Sequence, residues 1–218
     1  MADDPGRSAL LSALTTEHFV LQTANSSTYA EASARSTLYV MALSSALVAM
    51  GFLSSTTDAF VPFAVAVLPA IFVLGLFTVV RLVDTALESM HYLAGIARIR
   101  AVYRTLGADA ERHFAPQFGR WPETRSPAER LGNVLAFMGT TASMIAVLNN
   151  LVAGAAVALA LHLVAASVPG RVLAGLGVAV ALALTAAFYF YQRWRFADFD
   201  SAARRDGDPA PAESRIAG

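Results

Sequence analysis

Charge placement constrains this chain more than any other feature of it. Residues 37–80 hold one formal charge, Asp58, and residues 131–192 hold one, Arg171. These 106 residues carry 2 of the 32 charges, and the other 112 carry 30. A helix bathed in water needs a polar face, so stretches this long without one belong in lipid. Composition agrees: 56% of residues are apolar and 15% charged, where about 25% charged is usual in soluble domains. The pattern excludes a disordered chain, a water-soluble enzyme and a nucleic-acid binder with a basic face. It predicts an all-α integral membrane protein, with the lipid bilayer as its first partner.

A helix crosses about 30 Å of hydrocarbon with about 20 apolar residues. Four segments qualify: about 37–53, 60–83, 147–167 and 171–192. Short connections, Ser54–Asp58 and Val168–Gly170, join them into two antiparallel hairpins; Asp58 is the expected N-cap of the second span. The first 36 residues begin with Asp3 and Asp4 and have no long apolar core, so the first span is expected to serve as its own insertion signal. Orientation follows from arginine, which supplies all 16 basic residues. Fourteen fall in the N-terminal segment, the central connection and the tail. Arg171 lies on the other side, and Arg81 at a membrane end. Both termini are therefore expected in the cytoplasm of a bacterial cell, with the protein in the inner membrane.

The spans are expected to outrun the membrane on the cytoplasmic side. Residues 8–36 contain neither Pro nor Gly and carry Leu10, Leu14, Leu21 and Ala24 at helical spacing. The second span runs on through Asp84 to about Leu106, with Gly107 as its stop. Ser126-Pro127-Ala128-Glu129 reads as a capping box, so a helix starting at Pro127 is expected to continue into the third span. Residues 203–218 read as a disordered tail, which leaves 1–202 as one helical domain.

The candidate functional residues lie on this frame. Arg81, Asp84, Glu88, His91, Gly95 and Arg98 follow one another by three or four residues and share one helix face. They form either a vestibule at the inner mouth of a pore or ordinary intrahelical ion pairs at the water boundary. Glu88 and His91 also match the i, i+3 pair of carboxylate-bridged metal sites, but no second pair exists; Glu17-His18 and Glu31 of the N-terminal extension, or a symmetry mate, would have to supplement it, and no metal or other cofactor is assigned. Asn149 and Asn150 interrupt an apolar helix. They mark a constriction, an interhelical hydrogen bond or the membrane boundary. Pro69, in mid-span, frees the Val65 carbonyl and is a candidate hinge. The first helix carries a seam of small and polar residues: Ser26, Ala30, Ser33, Thr37, Met41, Ser44, Val48, Gly51 and Ser55. Helix packing is the first reading of that seam, and pore lining the second. The chain has no cysteine, no phosphate loop, no GxSxG and no HExxH, and no enzymatic role is assigned.

Leu14-Thr15-Thr16-Glu17-His18-Phe19-Val20-Leu21-Gln22, running into Ser36-Thr37-Leu38-Tyr39, resembles the start of function-unassigned multi-pass membrane proteins of actinobacteria. The layout of four spans with cytoplasmic extensions resembles that of oligomeric ion channels such as bestrophins. Four spans are too few to enclose a wide aqueous path, so a cyclic homo-oligomer is expected. The leading expectation is a channel for ions or small solutes. The alternatives are a non-conducting scaffold that docks a soluble partner and, more weakly, a metal-dependent membrane enzyme using Glu88 and His91.

Overall fold

A computed structural model describes residues 5–114, 140–165 and 167–207, the side chains of Thr57 and of 199–207 excepted. The described residues form helices and no strand. In chain order these are α1 Pro5–Leu53, α2 Thr57–Arg104, α3 Ala108–His113, α4 Thr141–Val164 and α5 Gly170–Gly207. At about 1.5 Å per residue, α1 and α2 are each roughly 72 Å long, whereas α4 is roughly 36 Å. Four helices (α1, α2, α4 and α5) are long and apolar enough to cross a membrane.

Helix boundaries follow local chemistry. Nothing in α1 breaks the helix before Leu53, where Thr56 N–H donates to the Leu53 carbonyl (2.9 Å) and the Ser54 hydroxyl to that of Gly51 (2.7 Å). The N-cap of α2 is Thr56, not Asp58. Thr56 has the extended backbone (φ −126°, ψ 90°), and Asp58 sits in the first turn, where its carboxylate faces the positive helix end. α2 stays helical through Pro62 and Pro69. It ends at Arg104, two residues before the expected Leu106. Gly107, at φ +148°, takes a conformation that L side chains avoid, and it opens the unanticipated α3. Phe114 ends α3 and packs its ring 5.3 Å from that of Tyr103.

The third of these long apolar helices departs furthest from expectation. A helix continuous from Pro127 into the span is not what the chain forms. Thr140 is extended (φ −76°, ψ 150°) and its hydroxyl accepts from Ser143 N–H (3.2 Å), so α4 starts at Thr141. Residues 127–139, with the capping box, lie outside the described residues. α4 ends at Val164, before the expected Ser167. α5 runs to Gly207, past the expected end of the span at Gln192 and into the stretch read as disordered; 208–218 lie outside the described residues.

α2 is the centre of the packing. α1 lies along one side of it and α4 along the other, while α5 lies along α4 and touches α2 only briefly. Leu21 meets Gly95, Asn25 meets Ser89, Glu31 meets Arg81 and Tyr39 lies against Gly75. Positions on α1 thus rise as those on α2 fall. The core is centred on Tyr39, Val83 and Ile145, all fully buried, with Leu68, Ile71 and Ala146 around them. Before Glu31, α1 runs on for roughly 40 Å beside the last turns of α2.

Candidate functional site

The polar residues of the apolar region meet between helices rather than on one face of α2. Arg81, near the end of the second expected span, reaches across to α1. Its Nε and Nη2 donate to the two carboxylate oxygens of Glu31 (2.8 and 3.0 Å), and Nη1 donates to Glu88 (2.8 Å). Arg35 Nε donates to the same Glu31 from one turn away (2.8 Å). A planar guanidinium holding one carboxylate through two nitrogens fixes orientation as well as charge. Two arginines beside one carboxylate, Arg81 first and Arg35 second, push the Glu31 pKa down from its ordinary 4.5 to about 2, against a smaller opposing desolvation.

Asp84 turns the other way. Its carboxylate accepts from Arg195 of α5 at 2.6 Å. Of the intrahelical ion pairs open to Arg81, that with Glu88 forms, whereas Arg81 and Asp84 also make two separate links to other helices. One ties α2 to α1 and the other ties α2 to α5. The remaining stripe residues do less. His91 Nδ1 lies 2.8 Å from the Leu87 carbonyl, Gly95 admits the Leu21 side chain, and Arg98 is exposed. Glu88 and His91 thus have other engagements. Among the described residues no three His, Cys, Asp or Glu side chains come together to hold a metal ion.

Deeper in the bundle the two asparagines divide as adjacent helical positions must. Asn149 is buried; its Oδ1 accepts from the Tyr39 hydroxyl (3.2 Å) and fills the notch left by Gly75. Asn150, also buried, donates through Nδ2 to Thr185 of α5 (3.1 Å). At the start of α4, Ser143 donates to Gln192 (3.1 Å), whose amide donates to Thr140 (3.3 Å). Each amide buried in an apolar setting therefore has a partner on another helix, as the cost of an unpaired one requires. Beyond the bundle, Ser89 donates to Asn25 (2.7 Å) between α2 and α1.

Several of these residues carry no signal in the sequence. Tyr39, Arg195 and Gln192 become visible only once the register between helices is known, whereas Glu31, which the sequence offered as a supplement to Glu88 and His91, meets Glu88 through Arg81. The seam on α1 shows the opposite behaviour. All nine of its residues, from Ser26 to Ser55, are exposed, and a Cβ added at Gly51 would meet nothing within 4 Å. At about 100° per residue the seam lies roughly 145° round the helix from the face formed by Asn25, Tyr39, Leu43 and Ala46. Among the described residues it packs against nothing. Elsewhere, the outward faces of the apolar helices carry large residues such as Phe52, Phe77, Leu151, Leu182 and Phe190. Comparison with protein-family models, curated proteins and solved structures finds no match to this chain.

Proposed function

We propose that the chain is a multi-pass inner-membrane protein with two antiparallel membrane hairpins and cytoplasmic termini. Copies of it assemble with cyclic symmetry around a path for ions or small solutes. The observation that carries this reading is the outward seam of α1. Large aliphatic side chains suit lipid, and the other outer faces have them. Hydroxyls and glycine gain nothing there; they suit water or the close approach of another helix. Thr37, Ser44 and Gly51 run through the first span with Met41 and Val48 between them, Ser55 follows in the connection, and Ser26, Ala30 and Ser33 continue the line inward for a total of roughly 43 Å. Lining a shared path with this seam leaves Leu47 and Phe52 to neighbouring surfaces. The Arg81, Asp84 and Glu88 links lie on the side of α1 away from this seam, where they brace α2 against α1 and α5 at the inner end of the bundle.

The rival reading is a scaffold that docks a soluble protein. It is favoured by Leu10, Phe19, Val20 and Tyr29, all more than half exposed on the part of α1 that leaves the bundle. Purified protein in planar bilayers separates the two. Because the chain has no cysteine, Ser44→Cys offers a single target. The channel reading expects unitary currents that a thiol-reactive ammonium reagent reduces in Ser44→Cys and leaves unchanged in Leu182→Cys. Silent bilayers overturn it, and a soluble protein that co-purifies with the silent chain then supports the scaffold.

A further inference from the structure

We propose that the groove between α4 and α5 is a binding site for one anionic phospholipid of the cytoplasmic leaflet, an inference that rests on the membrane reading above. Val147, Leu182, Ala186 and Phe188 wall a cleft of about 320 Å³, with Ser143 and Gln192 at one end. Leu182 and Gln192 are ten residues apart, roughly 15 Å along α5, which is the depth of one leaflet of a hydrocarbon core about 30 Å thick. The amide and hydroxyl at the foot bond to each other and to Thr140, so the cleft presents them no unmet polar demand. Its walls suit an acyl chain.

The headgroup is specified by what stands just past the foot. Arg193 lies one turn beyond the groove-lining Tyr189 on the same face of α5, is exposed, and forms no ion pair among the described residues. Among the described residues no carboxylate lines the cleft. Trp194 beside it is 59% exposed and Tyr189 lines the groove, which places aromatic rings at headgroup level. A free guanidinium above an apolar slot one leaflet deep complements a phosphodiester carrying net negative charge. A second copy of the chain would need an acid opposite Arg193 and a helix thin enough for the slot, and the lipid needs neither.

Tyr189 lines the groove, so a tryptophan in its place reports on the site directly. The chain has two tryptophans, so Trp121→Phe and Trp194→Phe leave the Tyr189→Trp reporter alone. That variant is reconstituted in phosphatidylcholine vesicles containing either acyl-brominated phosphatidylglycerol or acyl-brominated phosphatidylcholine. The expected result is saturable quenching with a preference of roughly fivefold for phosphatidylglycerol, the contribution of one cation near a charged surface. Arg193→Gln abolishes the preference. Ala186→Phe, which fills the slot, removes the saturable component, while Arg171→Gln at the far end of α5 changes neither. Millimolar glycerol phosphate should not compete; competition would assign the site to free phosphate and overturn the proposal. Equal quenching by both lipids, or an unchanged preference in Arg193→Gln, also overturns it and leaves the membrane reading intact. A change of oligomeric state in Ala186→Phe, with lipid preference retained, assigns the groove to a second copy. No quenching by either lipid, with protein that fails to float with the vesicles, removes the membrane reading itself.

Discussion

Asn149 and Gly75 depend on each other. The asparagine carbonyl occupies the volume a side chain on residue 75 would need, and the Tyr39 ring closes the same space. Gly75→Ala is therefore expected to destabilise the bundle by about 1–3 kcal/mol, the usual cost of overfilling a packed interior, read as a lowered Tm in detergent. The reason is testable in the same assay. Adding Asn149→Ala should recover part of the loss by vacating the notch, although it forfeits the Tyr39 hydrogen bond, worth about 0.6 kcal/mol in comparable membrane bundles. Additive destabilisation in the double variant would mean that the two residues do not share this space. Glu31 makes a second residue-scale prediction. Its pKa is about 2 in the folded chain and ordinarily 4.5, so the folded state favours the charged form. The resulting stability is complete above pH 4.5 and is lost as pH falls through 2. Glu31 is one-third exposed, so solvent screens the effect. The Glu31→Gln variant should lose the part of the acid-induced destabilisation that lies between those pH values, measured as the difference in Tm from the parent. Identical pH profiles would remove Glu31 from that role.

At the scale of elements, what the sequence revealed was whatever is decided within a few residues. The long α1 was legible because nothing in 8–50 interrupts a helix, and Gly107 because only glycine accepts its backbone angles readily. Asp58 misled because two or three adjacent polar residues can cap, and tertiary packing chooses among them. Thr140 misled in the other direction: an apolar run from 131 to 146 reads as unbroken helix, yet a threonine hydroxyl that bonds Ser143 N–H starts α4 there. The polar stripe on α2 was legible as a face, but its partners Glu31 and Arg195 lie 50 and 111 residues from theirs, and no local pattern carries such distances. The α4–α5 crossing gives an element-scale prediction. A Cβ on Gly154 would strike the Gly177 carbonyl, and one on Gly177 would strike that of Gly154 at 2.6 Å. Backbone cannot yield as a flexible side chain can. Gly154→Val should therefore separate the two helices, lowering Tm and exposing the connection at 165–169 to proteolysis. Gly175→Ala, where nothing lies within 4 Å, should instead raise stability by about 0.5–1 kcal/mol, because alanine favours a helix over glycine. Equal responses at the two positions would mean that α4 and α5 do not cross at this pair.

For the whole molecule, the packing within one chain and the surface it leaves uncovered point the same way. Interior amides and the Arg81 and Asp84 charges are satisfied between helices of a single copy, so the bundle needs no second copy to complete its interior. The α1 seam is exposed among the described residues and is small or polar apart from Met41 and Val48; on the proposed reading it faces symmetry mates or water among them. Proximity between copies is thus expected at one face only. In membranes, Ser44→Cys treated with a bismaleimide of about 10 Å reach, the spacing of packed helices, should give a ladder of cross-linked species ending at a fixed number of subunits, whereas Leu182→Cys on the lipid-facing side of α5 should stay monomeric. The same absence of native cysteine makes sidedness readable. Ser55→Cys should react with an impermeant reagent in intact cells, and Glu17→Cys only after the membrane is opened. Labelling of both from outside would overturn the arginine-based orientation. Cross-linking through Leu182 and not through Ser44 would place the subunit interface on α5, and would leave the hydroxyls of α1 facing lipid with no structural reason to be there.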